Sequence, residues 1–267
     1  MSLTVKVPLY RKFAELLNEA EREKREVARI TEEVPDLSAE EAYKIQEELI
    51  KIKTNSGHRI IGPKMGLTSQ AKMAQMKVKE PIYGYLFDYM FVPSGGAIHM
   101  SELIHPKVEV EIAFILGEDL EGPHVTSTQV LSATKYVAPA LEIIDSRYQD
   151  FTFTLPDVIA DNASSSRVVI GNTMTPIHSL KTDLDLIGAA LYINGELKAC
   201  GAGAAVFNHP ANSVAVLANM LARKGERLKA GDIILTGGIT EAIQLSAGDT
   251  VIGQLDQLGD VSLSVKE

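Results

Sequence analysis

Three glutamates and a lysine are the residues of this chain whose types and spacing could do chemistry. Glu109 and Glu111 lie in the run Lys107 to Leu116, Lys-Val-Glu-Val-Glu-Ile-Ala-Phe-Ile-Leu, whose strict alternation predicts a strand. Val108, Val110, Ile112, Phe114 and Leu116 then share one face, and Glu109, Glu111, Ala113 and Ile115 share the other. Residues i and i+2 of a strand stand roughly 6.5 to 7 Å apart, so two such carboxylates can converge on one ion. An ordinary polar strand face is the alternative. Such a face more often mixes Lys, Thr and Ser with its acids, and two bare glutamates repel each other unless something cationic sits between them. A second strand-like run, Tyr136 to Asp145, carries Glu142 inside Ala-Leu-Glu-Ile-Ile, where a lone buried carboxylate is costly. Three glutamates around one hard divalent cation resolve both problems. A donor set of oxygen, without paired His or Cys, suits Mg²⁺ or Mn²⁺ better than Zn²⁺.

Lys64 stands between Pro63 and Met65, just before Gly66, at the end of an apolar β-like run that begins at His58. This is an odd place for a purely solvated side chain, although a surface lysine remains the alternative on local sequence. The following short helix, capped by Ser69, carries Met73 and Met76 as packing residues. Ala160 to Ser166 is a run of small and polar residues, which predicts a loop that hydrogen-bonds its own backbone or a ligand. His209-Pro210 reads first as the start of a helix and second as a catalytic candidate.

The elements that position these residues follow from periodicity. Tyr10 to Ile30 predicts an exposed amphipathic helix. Ser38 with Glu41 forms a capping box, and Ala42, Ile45, Leu49 and Ile52 at helical spacing predict a second helix to about Asn55, stopped at Gly57. Tyr83, Tyr85, Phe87 and Tyr89 alternate along Pro81 to Val92, as in a strand with one aromatic face. Thr126 or Ser127 caps a short helix reaching Lys135. Asn194-Gly195 marks a hairpin with a type I′ turn, and a helix spans about Ala211 to Lys224. Short strands separated by Gly-Asp turns fill the rest, as in a curled sheet. The expected class is α+β, a mixed β-roll or sandwich. A helical N-terminal region, 1–75, packs on a β-rich catalytic domain, 76–267.

The net charge of −9, with no basic stripe, weighs against a nucleic-acid partner. Cys200 is the only cysteine, so no intrachain disulfide forms and a reduced, cytoplasmic compartment is expected. No secretory apolar segment opens the chain and no stretch approaches a membrane span.

Glu109-x-Glu111, Glu142 and the run Gly231-Asp232-Ile233-Ile234-Leu235-Thr236-Gly237 together resemble the fumarylacetoacetate hydrolase superfamily, from about Glu40 to the end. Lys64-Met65-Gly66-Leu67-Thr68-Ser69, Pro81-Ile82-Tyr83-Gly84 and Asp161-Asn162-Ala163-Ser164 are similar to the branch that holds 2-hydroxypentadienoate hydratases and 2-oxo-3-hexenedioate decarboxylases of catechol meta-cleavage. The resemblance implies Mg²⁺, with Mn²⁺ possible, on Glu109, Glu111 and Glu142. It implies a catalytic Lys64, substrate contacts at Ile82, Asp161 and Ser164, a small dicarboxylate substrate, a homo-oligomer, and association with the pathway's hydratase. Where the hydratases carry Asp, this chain has Ile82, which cannot position or deprotonate a water. Decarboxylation needs no water, so it is the expected activity. Hydration of the dienoate is the alternative. An acylpyruvate-type hydrolase would need a His and Glu pair that neither His58 nor His105 provides, and a non-catalytic metal-binding subunit is a further reading. Arg147 either neutralises a substrate carboxylate or pairs with Asp145 or Asp150.

Overall fold

The computed structural model describes residues 3–69, 73–74 and 80–267. The chain opens with three helices, α1 (Leu3–Glu23), α2 (Ile30–Glu33) and α3 (Ala39–Asn55). α1 starts before Tyr10 and stops short of Ile30, because Lys24 takes φ +55°, outside the helical region. Phe13, Leu17 and Ala20, one stripe of α1, are buried against Ala42, Ile45 and Leu49 of α3. The capping box at Ser38 is present: the Ser38 Oγ accepts from the Glu41 N–H at 3.2 Å, and the Glu41 carboxylate accepts from the Ser38 N–H at 3.1 Å.

Fourteen strands follow among the described residues: β1 (Ile60–Gly66), β2 (Ile82–Phe87), β3 (Phe91–Pro93), β4 (Gly96–His99), β5 (Lys107–Leu116), β6 (Thr134–Ile144), β7 (Ser165–Ile170), β8 (Thr175–Pro176), β9 (Gly188–Ile193), β10 (Glu196–Ala202), β11 (Ile233–Leu235), β12 (Ile243–Gln244), β13 (Thr250–Leu255) and β14 (Gly259–Lys266). Helices α4 (Ser127–Ala133), α5 (Leu155–Ala160) and α6 (Pro210–Ala222) lie between them. The larger sheet runs β2-β1-β11-β5-β6-β7-β3, with β12 on β5 and β8 on β6; the smaller runs β10-β9-β13-β14-β4.

The single strand expected over Pro81 to Val92 is broken by a 3-10 turn at Asp88–Met90. β2 and β3 are thus close in sequence yet occupy opposite ends of the larger sheet. That is possible only because the sheet is rolled up. Asn194 and Gly195, with φ +56° and +79°, make the expected type I′ turn between β9 and β10.

One face of the larger sheet carries Val108, Val110, Ile112 and Phe114, which pack with Leu191, Ile193, Val251 and Leu263 of the smaller sheet and with Val214 and Leu217 of α6. The other face turns into the roll. There Ala113, Ala138 and Ala140 share a buried cluster with Leu86, Val168 and Leu235. Small side chains let the strands curl around this inner face.

β1 belongs to the larger sheet, so the described helical part closes at Asn55, and the boundary expected at 75 lies outside the described residues. The short helix expected at Met73 and Met76 does so too, apart from Met73 and Ala74, which are helical. No helix among the described residues is long and apolar enough to cross a membrane.

Candidate active site

β5 and β6 pair antiparallel with Glu109 directly opposite Glu142. Strand alternation puts Glu111 on the same face, so all three carboxylates look into the roll. Each offers an oxygen within 4.8 Å of the others. They are 7%, 0% and 1% exposed in the order Glu109, Glu111, Glu142, so water does not screen them. Burial, and then the charges of Glu142 and Glu109, push the Glu111 carboxyl well above its ordinary range. Burial pushes Glu142 up as well, against the pull of Lys64. The Glu111 Oε1 and Glu142 Oε2 atoms are buried and have no hydrogen-bond partner among the described residues. Native proteins rarely leave such atoms unpaired without a ligand to take them. Three converging carboxylates with spare oxygens fit a hard divalent cation, and they are the residues that would hold Mg²⁺.

Lys64 arrives from β1, opposite Gly84 of β2 and beside Leu235 of β11. It is 3% exposed, which rules out the solvated lysine. Its Nζ lies 3.1 Å from the Glu142 Oε1 and donates to the Ala163 carbonyl at 2.8 Å. Gly62 makes this approach possible, because a Cβ there would stand 1.9 Å from the Ile233 carbonyl oxygen.

Two glycines complete the acidic cluster. Gly237, at φ +108°, donates its N–H to the Glu111 Oε2 at 2.7 Å. A Cβ at Gly238 would lie 2.7 Å from the Glu109 carboxylate carbon. The backbone after β11 therefore passes directly over the carboxylates, and the Thr240 Oγ1 accepts from the Val110 N–H at 3.1 Å to fix that course. Sequence reasoning missed Gly238 and Thr240; the signal was a Gly-Gly pair directly after an apolar strand.

The other expected site residues divide. Ile82 is 4% exposed and faces Gly66, where a Cβ would meet its Cγ1 at 3.1 Å. Because Gly66 and Lys64 are two residues apart, Ile82 shares the sheet face of Lys64. Ser164 is 2% exposed, and its buried Oγ has no hydrogen-bond partner among the described residues. Asp161, expected as a substrate contact, is engaged by Arg147. It is fully buried, its Oδ1 accepts from the Arg147 Nε, and its Oδ2 accepts from the Arg147 N–H at 3.2 Å. Arg147 correspondingly pairs with neither Asp145 nor Asp150. The Asp145 carboxylate instead accepts from the Ile104 and His105 N–H groups at 2.9 and 2.8 Å.

His58, His105 and His209 are engaged elsewhere. His58 packs on the Tyr89 ring at 4.5 Å, and His105 meets Glu26 at 3.0 Å and the Ser146 carbonyl at 2.6 Å. His209 caps α6: its Nδ1 accepts from the Ala211 N–H at 3.0 Å. Nε2 must then carry the proton of the neutral ring, and it faces Asp183 at 2.9 Å. The Asp183, Asp185 and His209 grouping consequently presents no imidazole lone pair to a cation.

A rolled mixed sheet that holds an acidic triad, a buried lysine and a glycine pair defines a class, and the comparisons agree with it. Residues 52–266 match the fumarylacetoacetate (FAA) hydrolase C-terminal family, and the chain belongs to it. It is an enzyme of that family. It is 47% identical over 250 residues, 94% of each chain, to 4-oxalocrotonate decarboxylase of Pseudomonas sp. (strain CF600). It is 39% identical to 2-oxo-hept-4-ene-1,7-dioate hydratase of Escherichia coli, over 94% of this chain and 95% of the hydratase. A solved structure of 4-oxalocrotonate decarboxylase from Pseudomonas putida G7, complexed with magnesium and adipate, superposes with a TM-score of 0.94 at 43% identity, covering 97% of each chain.

Proposed function

We propose that this enzyme is a Mg²⁺-dependent decarboxylase that converts 4-oxalocrotonate (2-oxo-3-hexenedioate) to 2-hydroxypenta-2,4-dienoate and CO₂. One observation carries the choice of reaction: the apolar Ile82 occupies the sheet face of Lys64. The similar decarboxylase is complexed with magnesium and with adipate, a six-carbon dicarboxylate of the length this substrate has.

The substrate is an α-keto acid whose carbonyl is conjugated through one double bond to the carbon that bears the second carboxylate. Breaking the bond to that carboxylate releases CO₂, and the electron pair runs through the alkene to the C2 carbonyl oxygen. Mg²⁺, when bound, supplies a Lewis acid for that carbonyl. The chain's own groups do the rest. Glu109, Glu111 and Glu142 hold the cation. Lys64, fixed by the Ala163 carbonyl and Glu142, presents its remaining N–H to the oxygen on which charge develops and moves the proton that completes the enol. Ile82 provides a dry wall beside the departing carboxylate, where expulsion of charge is favoured. Ser164 offers the substrate a hydroxyl that no described residue engages. The three glutamates and Lys64 are therefore proposed as the working site, and Asp161 as its support.

The test gives the enzyme 4-oxalocrotonate and 2-hydroxypenta-2,4-dienoate in parallel, with Mg²⁺. CO₂ release without hydration of the diene is expected. Hydration without CO₂ would transfer the protein to the hydratase reading and remove the weight placed on Ile82. The same reading places the enzyme in the cytoplasm as a homo-oligomer that can associate with a hydratase; size-exclusion of the two proteins together tests that association.

A further inference from the structure

Between Asp161 and Ser165 the backbone does something that ordinary side chains resist. Asn162, Ala163 and Ser164 take φ values of +50°, +51° and +57°, three consecutive left-handed residues without a glycine. Such positions persist only where the surroundings over-determine them, and they cluster at functional sites. The middle residue is the one whose carbonyl receives Lys64 at 2.8 Å.

Both ends of this turn are held by one guanidinium. Arg147 donates through Nε to the Asp161 Oδ1 and through Nη2 to the Asp161 carbonyl. Its Nη1 reaches the Asp145 carbonyl at 2.7 Å and the Ser165 carbonyl at 3.1 Å. The end of β6, the start of the turn and the start of β7 are thus pinned by a single planar fork, which no other side chain offers. The Asn162 side chain then stitches the turn to β2, accepting from the Tyr85 N–H at 2.8 Å and donating to the Tyr85 carbonyl at 2.9 Å. Gly84 leaves the room, since a Cβ there would lie 2.4 Å from the Asn162 carbonyl oxygen. Behind Arg147, Glu21 of α1 is bound by Lys53 of α3 at 2.6 Å and by the Tyr89 hydroxyl at 2.7 Å. The Arg147 carbonyl accepts from the Val27 N–H at 2.9 Å, which ties the helical part to the same point.

We propose that Arg147 is a positioning residue: through Asp161 it holds the left-handed turn at Asn162–Ser164, and the turn sets the direction of Lys64 by way of the Ala163 carbonyl. Arg147 touches no reacting atom, and the inference rests on the reading of Lys64 as the proton-moving group.

The test is a double-mutant cycle in full-length enzyme with Mg²⁺, using Arg147→Lys and Lys64→Met alone and together, with kcat, KM and Mg²⁺ affinity measured for each. Misplacement of a catalytic group by about 1 Å costs on the order of 100-fold, so Arg147→Lys is expected to lower kcat by about 10- to 100-fold. KM and the Mg²⁺ dissociation constant should stay within about 3-fold, because neither the carboxylates nor the Ile82 wall moves. In the Lys64→Met background the same change should have no further effect on the residual rate. An equal loss in both backgrounds, or a loss confined to thermal stability with kcat per folded molecule intact, would overturn the proposal. If Lys64→Met alone leaves kcat unchanged, it is the reading of Lys64 that falls, and this arm shows that separately. Should Arg147→Lys fail to fold, Asp161→Asn, which keeps the Oδ1 acceptor, is read by the same cycle with the same outcomes.

Discussion

The inside of this protein holds two groups of buried charge that differ in how fully their members are paired. On the face of β5 and β6, Glu109, Glu111 and Glu142 converge beside the buried Lys64, and among the described residues oxygen atoms of Glu111 and Glu142 have no hydrogen-bond partner. Where the helical part meets the roll, Arg147 meets Asp161 and Lys53 meets Glu21, so two cations face two carboxylates and their hydrogen bonds close on one another. Burial weighs against charge in both places. In the first group it leaves Glu111 and Glu142 favouring protons. In the second, burial still raises Asp161 to about 7 against the pull of Arg147, while at Glu21 the charges of Lys53 and Arg147 outweigh burial and hold that carboxyl down at about 2. Carboxylate oxygens that no described residue satisfies, as on Glu111 and Glu142, are open to a group from outside, whereas charge that is paired serves to hold shape.

That contrast can be broken at several points. The largest effect is expected on the unbalanced side: Glu111→Gln removes a ligand charge from the centre of the triad, and losing a Lewis acid worth several kcal/mol should cut turnover by about 1,000-fold or more. Steady-state CO₂ release at saturating Mg²⁺ measures it, and turnover within about 3-fold of the parent would show that the triad is not the metal site. On the balanced side, Arg147→Met leaves Asp161 buried without its partner, and about 3 to 5 kcal/mol of stability should be lost in denaturant unfolding. A change under about 1 kcal/mol would mean that the pair holds nothing together.

Gly238→Ala sharpens the comparison, because it adds one methyl against the Glu109 carboxylate and touches no charge. Mg²⁺ affinity by calorimetry should fall by about 10- to 100-fold, as for other groups that orient a ligand. Unchanged affinity would show that Glu109 has room to move.

The smallest effect concerns acid. Glu21 has a folded pKa of about 2 against an ordinary 4.5, so its contribution to stability is fully present above pH 4.5 and is lost as pH falls toward 2. Thermal unfolding followed from pH 6 to pH 3 should show a shallower acid decline in Glu21→Gln than in the parent, by about 1 to 2 °C per pH unit. Parallel curves would contradict the role given to Lys53 and Arg147.

The two groups also differed in how far the sequence revealed them. Glu109, Glu111 and Glu142 were legible because each sits in an apolar strand run whose alternation states where the side chain goes. Strand pairing then did the simplest thing, setting Glu109 opposite Glu142. The capping box at Ser38 and the Asn194-Gly195 turn were legible for the same reason: the physics is local. Arg147 was not. Its partner lies fourteen residues away, just beyond α5, while Asp145 and Asp150 are nearer in sequence and equally acidic. What decided the pairing was the turn at Asn162–Ser164, and three left-handed residues without glycine leave no signature in composition. The break at Asp88–Met90 was hidden similarly, because the aromatic alternation continues through it while the chain passes from one edge of the roll to the other.

The measurement that tests the account most directly starts from enzyme stripped with EDTA. Mg²⁺ is titrated back while CO₂ release from 4-oxalocrotonate is followed, for the parent and for Glu142→Ala. The account predicts no release without metal, saturation at one Mg²⁺ per chain, and no recovery in the variant. Release that persists in EDTA, or that Glu142→Ala leaves intact, would contradict it.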